Sequence, residues 1–177
     1  KNKSPLLIAL IMLIFFVISF LTNILGPLIP DIIKSFKLGI GLAGFLPFFF
    51  FFAYGFMSVP AGILIEKYSE KTVMIAAFML AFIGALTFAL LPGFAVALIS
   101  LFLIGIGMAM LQVVINPLLR QSGGEEHFAF YSVLAQLVFG LASFLSPQLY
   151  SYLVLNLHKN DNSFIVRILN PIVPVNL

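Results

Sequence analysis

The fold of this chain is decided by a stretch in its second half, GIGMAMLQVVINPLL, residues 105–119. The stretch is apolar except for two amides, Gln112 and Asn116. An amide in an apolar span has no water to bond, so it needs a partner in another helix or in a ligand. Residues four apart share a helical face, so the two amides can present neighbouring hydrogen-bonding groups to one neutral polar molecule. The residues alone leave helix contact and ligand contact equally open.

The composition predicts a membrane protein. Of the 177 residues, 62% are hydrophobic and 8% are charged, whereas about 25% are charged in a soluble domain. The formal charge of +3 comes from residues between the apolar runs, so nothing indicates nucleic-acid binding. The absence of cysteine excludes a disulfide framework and thiolate metal sites. No nucleophile–base pair, metal cluster or phosphate-binding glycine loop occurs, so we predict no enzyme, cofactor or metal site.

The hydropathy pattern predicts an all-α, polytopic membrane protein with about five transmembrane helices. Each apolar run has at least the roughly 20 residues that a helix needs to cross the hydrocarbon core. Residues 158–177 are polar and broken by proline, so we expect an extramembrane connection there that leads to a missing sixth span. The predicted partial N-terminal bundle, residues 1–157, has spans at about 6–30, 38–65, 72–91, 94–119 and 128–155.

Small and aromatic residues predict how these helices pack. Gly105 and Gly107 thin the middle of the fourth span, so a neighbouring helix can come close to its backbone. Five consecutive phenylalanines at residues 48–52 must cover every side of the second span, so some face lipid and others face helices. Alanine recurs every four residues along the third span, which predicts a stripe of close approach formed by Ala77, Ala81, Ala85 and Ala89.

Three more polar side chains within the predicted spans are candidates for contact with a solute. Asn23 precedes Pro27 and Pro30, where a helix can bend and its freed carbonyls can face protein or water. Tyr54 brings a hydroxyl group into the aromatic second span, and Gln136 is a further amide, on the fifth span. No acidic or basic residue lies within a predicted span, so ion-coupling chemistry inside this stretch is unsupported.

The charge pattern gives a weak orientation signal. With a cytoplasmic N-terminus, five basic residues lie inside and four outside. Gln112 and Gln136 then lie about six to nine residues from the inner ends of their helices, at similar depth, and Asn23 falls in the outer half. The three amides therefore predict a polar track that suits a neutral solute.

Two motifs carry a resemblance to a known family. PAGILIEKYSEK, residues 60–71, resembles the charged hairpin between the second and third helices of the major facilitator superfamily. LQVVINP, residues 111–117, resembles the L-[EQ]-x-x-x-N-P signature of its fucose and glucose/galactose permease family. Ala43-Gly44, Tyr54 and Leu134-Ala135-Gln136 agree in order. The resemblance implies the N-terminal half of a twelve-helix fold.

The resemblance also implies a function. It suggests a hexose permease of the bacterial inner membrane, in which two six-helix halves rock about a central sugar site. It implies that Gln112 contacts sugar hydroxyls and that Asn116 supports the same helix face. Asn23 and Gln136 would complete this wall, with Tyr54 as a further candidate. The inner gate hairpin would include Gly62, Glu66, Lys67 and Lys71.

The chain departs from the family pattern at the residues that handle the proton. Fucose-type members have carboxylates at the positions of Gly26 and Gln112, and neither position is acidic here. The resemblance therefore implies a hexose more than fucose, and it leaves the coupling cation, proton or sodium, open. Because the family has twelve spans, we interpret the sequence as the N-terminal part of a permease, as a gene fragment or a truncated product, that needs its C-terminal half to transport.

Two alternatives stay open. In a non-transporting membrane scaffold or remnant, the amides would bond neighbouring helices and the aromatic rings would face lipid. A drug exporter of the same superfamily would bind apolar cations instead of sugars. Thermal protection separates the three interpretations, because a ligand stabilises only a protein that binds it.

Overall fold

The structure, a computed structural model, describes residues 5–156. Across these residues all regular structure is helical, and five helices are long and apolar enough to cross a membrane. The predicted all-α fold with five membrane-spanning helices is therefore confirmed. The connection predicted at residues 158–177 lies outside the described residues, as do four of the nine basic residues whose positions indicated the orientation, Lys1, Lys3, Lys159 and Arg167.

The helices follow the apolar runs of the sequence. α2 is a single turn that precedes α3, and the two together form the second span, with Gly44 between them. A single 3-10 turn at Glu125–His127 connects α5 to α6. The helices are α1 (Pro5–Phe36), α2 (Ile40–Ala43), α3 (Phe45–Lys67), α4 (Glu70–Leu90), α5 (Phe94–Gly123) and α6 (Phe128–Asn156).

Helix α1 runs further than the sequence pattern predicted. The segment from Asp31 lies between the predicted spans 6–30 and 38–65, but it is helical as far as Phe36, although Pro27 and Pro30 lie inside the helix. Ile32 is buried, so the apolar stripe of α1 continues past both prolines and stabilises this segment as helix. Asp31 therefore lies on the helix of the first span rather than in a loop.

Helix α5 is the centre of the bundle. It contacts α1, α3, α4 and α6, whereas α3 and α4 make few contacts with each other. In its most apolar 18-residue segment half of the residues are buried, whereas 28% or less are buried in the corresponding segments of the other four spans. The other extensive contact joins α1 to α6. The bundle therefore has two groups, α3–α4–α5 and α1–α6, which meet where α1 packs against α5.

Glycines let α3 and α4 lie against the backbone of α5. A Cβ atom added at Gly105 would lie 2.5 Å from the carbonyl oxygen of Phe50 on α3. One added at Gly107 would lie 2.6 Å from the carbonyl oxygen of Ala77 on α4. No side chain larger than hydrogen fits at such distances, so the predicted close approach at both glycines is confirmed.

The alanine stripe of α4 is only partly used. Ala77 and Ala81 are buried against α5, but Ala85 and Ala89 are exposed. Four residues advance a helix by about 400°, so a strict four-residue repeat drifts off a straight contact face. Gly84 continues the contact instead, since a Cβ atom there would lie 2.9 Å from the Ser100 carbonyl oxygen. The prediction is therefore correct for the first half of the stripe and wrong for the second.

The run of five phenylalanines on α3 divides between core and surface. Phe50 is fully buried and packs in the core next to α5. Phe48, Phe51 and Phe52 each expose more than half of their surface. The prediction that some rings face helices and others face outward is confirmed.

Candidate solute-binding site

The two amides of α5 lie where its buried face ends. Gln112 is half-buried and Asn116 is exposed. Leu111, which precedes Gln112, is buried, as are Val114 and Ile115 between the two amides. Asn116 Nδ2 donates a hydrogen bond to the carbonyl oxygen of Gln112 at 3.4 Å, so the two residues share a face as predicted. Within residues 5–156 neither amide bonds another helix, and the Gln112 side chain forms no hydrogen bond.

Asn23 forms hydrogen bonds with Ser19 on its own helix, and Ser19 in turn bonds α6. Its Nδ2 atom donates to the Ser19 carbonyl oxygen at 2.8 Å and lies 3.4 Å from Ser19 Oγ. Ser19 is fully buried, and its hydroxyl donates to the Phe139 carbonyl oxygen on α6 at 2.6 Å. Sequence reasoning missed Ser19. A lone serine in an apolar span gives no signal when its partner is a backbone carbonyl 120 residues away.

Two further hydrogen bonds join α1 to α6. The buried Ser146 hydroxyl donates to the Phe20 carbonyl oxygen at 2.7 Å. The Tyr150 hydroxyl donates to the Asp31 carboxylate. These two bonds and the Ser19 bond form what we call the α1–α6 seam. Residue numbers increase along both helices from one bond to the next, so α1 and α6 run parallel, as a first and a fifth span must.

Tyr54 and Gln136 lie apart from these bonds. Tyr54 on α3 is half-buried, and its ring centroid is 6.2 Å from that of Phe50. Gln136 on α6 is exposed beside the buried Ala135. In the described part of the chain neither side chain makes a hydrogen bond, so the structure links neither of them to Asn23 or to the α5 amides.

The predicted gate hairpin is the turn between α3 and α4. Ser69 caps α4, because its hydroxyl oxygen accepts a hydrogen bond from the backbone N–H of Thr72 at 3.4 Å. None of the charged side chains at this turn forms an ion pair with another of residues 5–156. The predicted members are Gly62, which is half-buried in α3, and the exposed Glu66, Lys67 and Lys71.

An open cleft of about 680 Å³ lies between α1 and α6. Among the described residues, its walls are apolar side chains such as Phe16, Phe20 and Leu145, and Gln148 is the one polar residue in the lining. None of the five predicted sugar contacts lines it. A sugar needs several hydrogen-bonding partners, so this cleft does not suit one.

Comparison with known proteins identifies the family. Residues 11–166 match the Major Facilitator Superfamily. The chain is 32% identical over 131 residues to the L-fucose-proton symporter of Escherichia coli strain K12, which covers 72% of this chain and 30% of that protein. It is 31% identical over 149 residues to the glucose/galactose transporter of Brucella abortus, which covers 81% of this chain and 36% of that protein. No solved structure matches the chain.

The family match includes part of every membrane-spanning helix of the described bundle. The chain spans about a third of the length of the curated relatives it matches, and both relatives are transporters rather than enzymes. The family resemblance predicted from the motifs at residues 60–71 and 111–117 is therefore confirmed. With five apolar helices of spanning length and a family match over most of its residues, the chain is a multi-pass membrane protein that belongs to the Major Facilitator Superfamily.

Proposed function

We propose that this chain forms one side of the solute pathway in a permease that moves a hexose across the bacterial inner membrane by alternating access. One observation carries the proposal beyond the family. Gln112 and Asn116 stand on the most buried helix of the bundle, yet within residues 5–156 neither amide bonds another helix. An amide in an apolar span needs a hydrogen-bonding partner. Because neither amide has one on a neighbouring helix of the described bundle, contact with a ligand is favoured over contact between helices.

The chemistry of the candidate wall favours a neutral, hydroxyl-rich solute. Amides and a phenol can donate and accept hydrogen bonds, as sugar hydroxyls do. A carboxylate in the wall would favour an exporter for apolar cations, and none of the five residues of the proposed wall is acidic. Its members are Asn23, Tyr54, Gln112, Asn116 and Gln136.

The complete transport unit in this proposal needs a second half. Two halves must rock against each other to alternate access, and the relatives are about three times as long as this chain. We place the N-terminus in the cytoplasm, so that Gly62, Glu66, Lys67 and Lys71 form part of the inner gate. A similar protein is named as a proton symporter, which supports a coupling cation, either proton or sodium.

The test is the effect of Gln112→Ala on hexose binding by the complete gene product. Loss of one hydrogen bond of about 0.5–1.5 kcal/mol should raise the dissociation constant roughly two- to thirteen-fold. Equilibrium binding of radiolabelled hexoses in detergent measures this change. Gln148→Ala is the matched control, because it removes an exposed amide outside the proposed wall.

Thermal protection distinguishes the rival functions. Glucose or galactose should raise the melting temperature of the complete protein, and apolar cations should not. Protection by apolar cations alone would favour the exporter. An unchanged dissociation constant in Gln112→Ala for every hexose tested would remove Gln112 from the site.

A further inference from the structure

We propose that Ser19 is a positioning residue, which orients the Asn23 amide so that its oxygen, Oδ1, is the group offered to a sugar hydroxyl. The inference rests on the proposed function and deepens it. It assigns a role to a residue that does not itself touch the solute, and it states which chemical group Asn23 recognises.

The orientation follows from the single proton of the Ser19 hydroxyl. That proton is used in the 2.6 Å bond to the Phe139 carbonyl oxygen on α6. A serine hydroxyl has one donor and two acceptor lone pairs, so toward Asn23 it can only accept. The Ser19 carbonyl oxygen, 2.8 Å from Asn23 Nδ2, is also an acceptor.

Two acceptors therefore face the same end of the Asn23 amide. Only the NH₂ group can satisfy them, because Oδ1 in that place would leave three oxygens without a hydrogen between them. Nδ2 accordingly lies 3.4 Å from Ser19 Oγ, and Oδ1 is directed away from Ser19. Among residues 5–156, no side-chain or backbone donor is bonded to Oδ1.

A half-buried amide oxygen without a donor favours a ligand that brings one. Asn23 in this orientation accepts a hydrogen bond, so it selects for a solute with a hydroxyl group at that point and against the deoxy analogue. The geometry also links the site to α6, because the carbonyl oxygen of Phe139 fixes the direction of the Ser19 proton.

The experiment compares Ser19→Ala with Ser146→Ala in hexose uptake by the complete gene product. Both serines are fully buried, and their hydroxyls bond carbonyl oxygens across the same seam at 2.6 and 2.7 Å. Only Ser19 also contacts Asn23. Both variants should lower the melting temperature by similar amounts. Ser19→Ala keeps the backbone carbonyl bond to Nδ2 and removes the longer Oγ contact. This variant alone should therefore raise KM, by roughly two-fold as expected at the weaker end for one hydrogen bond, with little change in kcat.

A series of monodeoxyhexoses gives a readout that a purely structural role would not change. In the wild-type protein, removal of the hydroxyl that bonds Asn23 should weaken binding. Ser19→Ala should reduce this discrimination and Ser146→Ala should retain it. Asn23→Ala should abolish it while leaving the Ser19 bond to Phe139 intact, and this variant tests the same point if Ser19→Ala does not fold.

Three outcomes would overturn the inference. Equal effects of Ser19→Ala and Ser146→Ala on KM would show that only helix contact matters. Unchanged deoxyhexose discrimination in both Ser19→Ala and Asn23→Ala would remove Asn23 from recognition, even if Gln112→Ala still weakens binding. If the complete protein neither binds nor transports a hexose, the proposed function fails, and this inference fails with it.

Discussion

Two regions of this bundle hold their helices together in different ways. Between α5 and its neighbours α3 and α4, contact depends on Gly84, Gly105 and Gly107, and within residues 5–156 no side-chain hydrogen bond crosses from one of these helices to another. Across the α1–α6 seam, three hydrogen bonds cross between the helices. In lipid no hydrophobic effect drives helices to associate, so van der Waals packing and hydrogen bonds between helices stabilise the bundle instead. The first region should therefore respond to side-chain volume and the second to polar chemistry.

The largest effect should come from added volume at the α5 glycines. In Gly105→Ala and Gly107→Ala the new methyl group would meet a backbone carbonyl oxygen at 2.5 or 2.6 Å, so a whole helix must shift. Overpacking of this kind costs about 1–3 kcal/mol and sometimes more. Unfolding in detergent, followed by size-exclusion chromatography of the folded fraction, measures the loss.

Matched glycines give the control for this prediction. Gly55 on α3 and Gly140 on α6 have no atom within 4 Å of an added Cβ atom. Their change to alanine should be neutral or should stabilise the helix by about 0.5–1 kcal/mol. If all four variants behave alike, close approach is not what holds α5 to its neighbours.

The next largest effect should come from the carboxylate bond of the seam. Tyr150→Phe removes the donor to Asp31. A hydrogen bond between membrane helices contributes about 0.6 kcal/mol and at most about 1.7, and the carboxylate acceptor places this bond toward the upper end of that range. The free energy of unfolding in detergent should fall by an amount in that range. Tyr54→Phe is the control, because among the described residues the Tyr54 hydroxyl has no hydrogen bond. Equal losses from both variants would contradict the assignment.

The smallest effect should come from a serine inside the packed region. Ser100 is buried on α5 beside α4, and its hydroxyl has no partner among residues 5–156. Ser100→Ala should therefore be neutral or slightly stabilising, whereas Ser146→Ala should cost about 0.6 kcal/mol and at most about 1.7. Chemical unfolding of both variants under one condition compares them. A cost for Ser100→Ala that matches Ser146→Ala would show that the two regions do not differ in this way.

Much of the fold was predictable because a bilayer permits few solutions. A backbone in lipid must satisfy its own polar groups, so apolar runs of spanning length have to be helices. Glycines in such a run often mark close contact, and Gly105 and Gly107 do, whereas Gly55 and Gly140 have no atom within 4 Å of an added Cβ atom. The extension of α1 through Pro30 to Phe36 was not predictable, because it depends on the burial of Ile32 in the assembled bundle.

The candidate site was less predictable than the fold. Helical spacing alone places Gln112 and Asn116 on one face, so that relation follows from the sequence. The bonds of Ser19 do not, because a serine hydroxyl can bond any carbonyl that tertiary packing brings near it. The role of the five candidate residues in sugar binding stays a prediction, which the binding experiments above address.

The central position of α5 has a consequence for how the protein is made. Membrane helices enter the bilayer in chain order, and α1, α3 and α4 precede the helix that they all contact. Until residues 94–123 have been inserted, α3 and α4 have few contacts with each other, so the emerging chain is a set of loosely associated helices. Assembly of this bundle should therefore wait for α5, and a ribosome stalled before α5 should leave a nascent chain that is open to proteases and dependent on the insertion machinery.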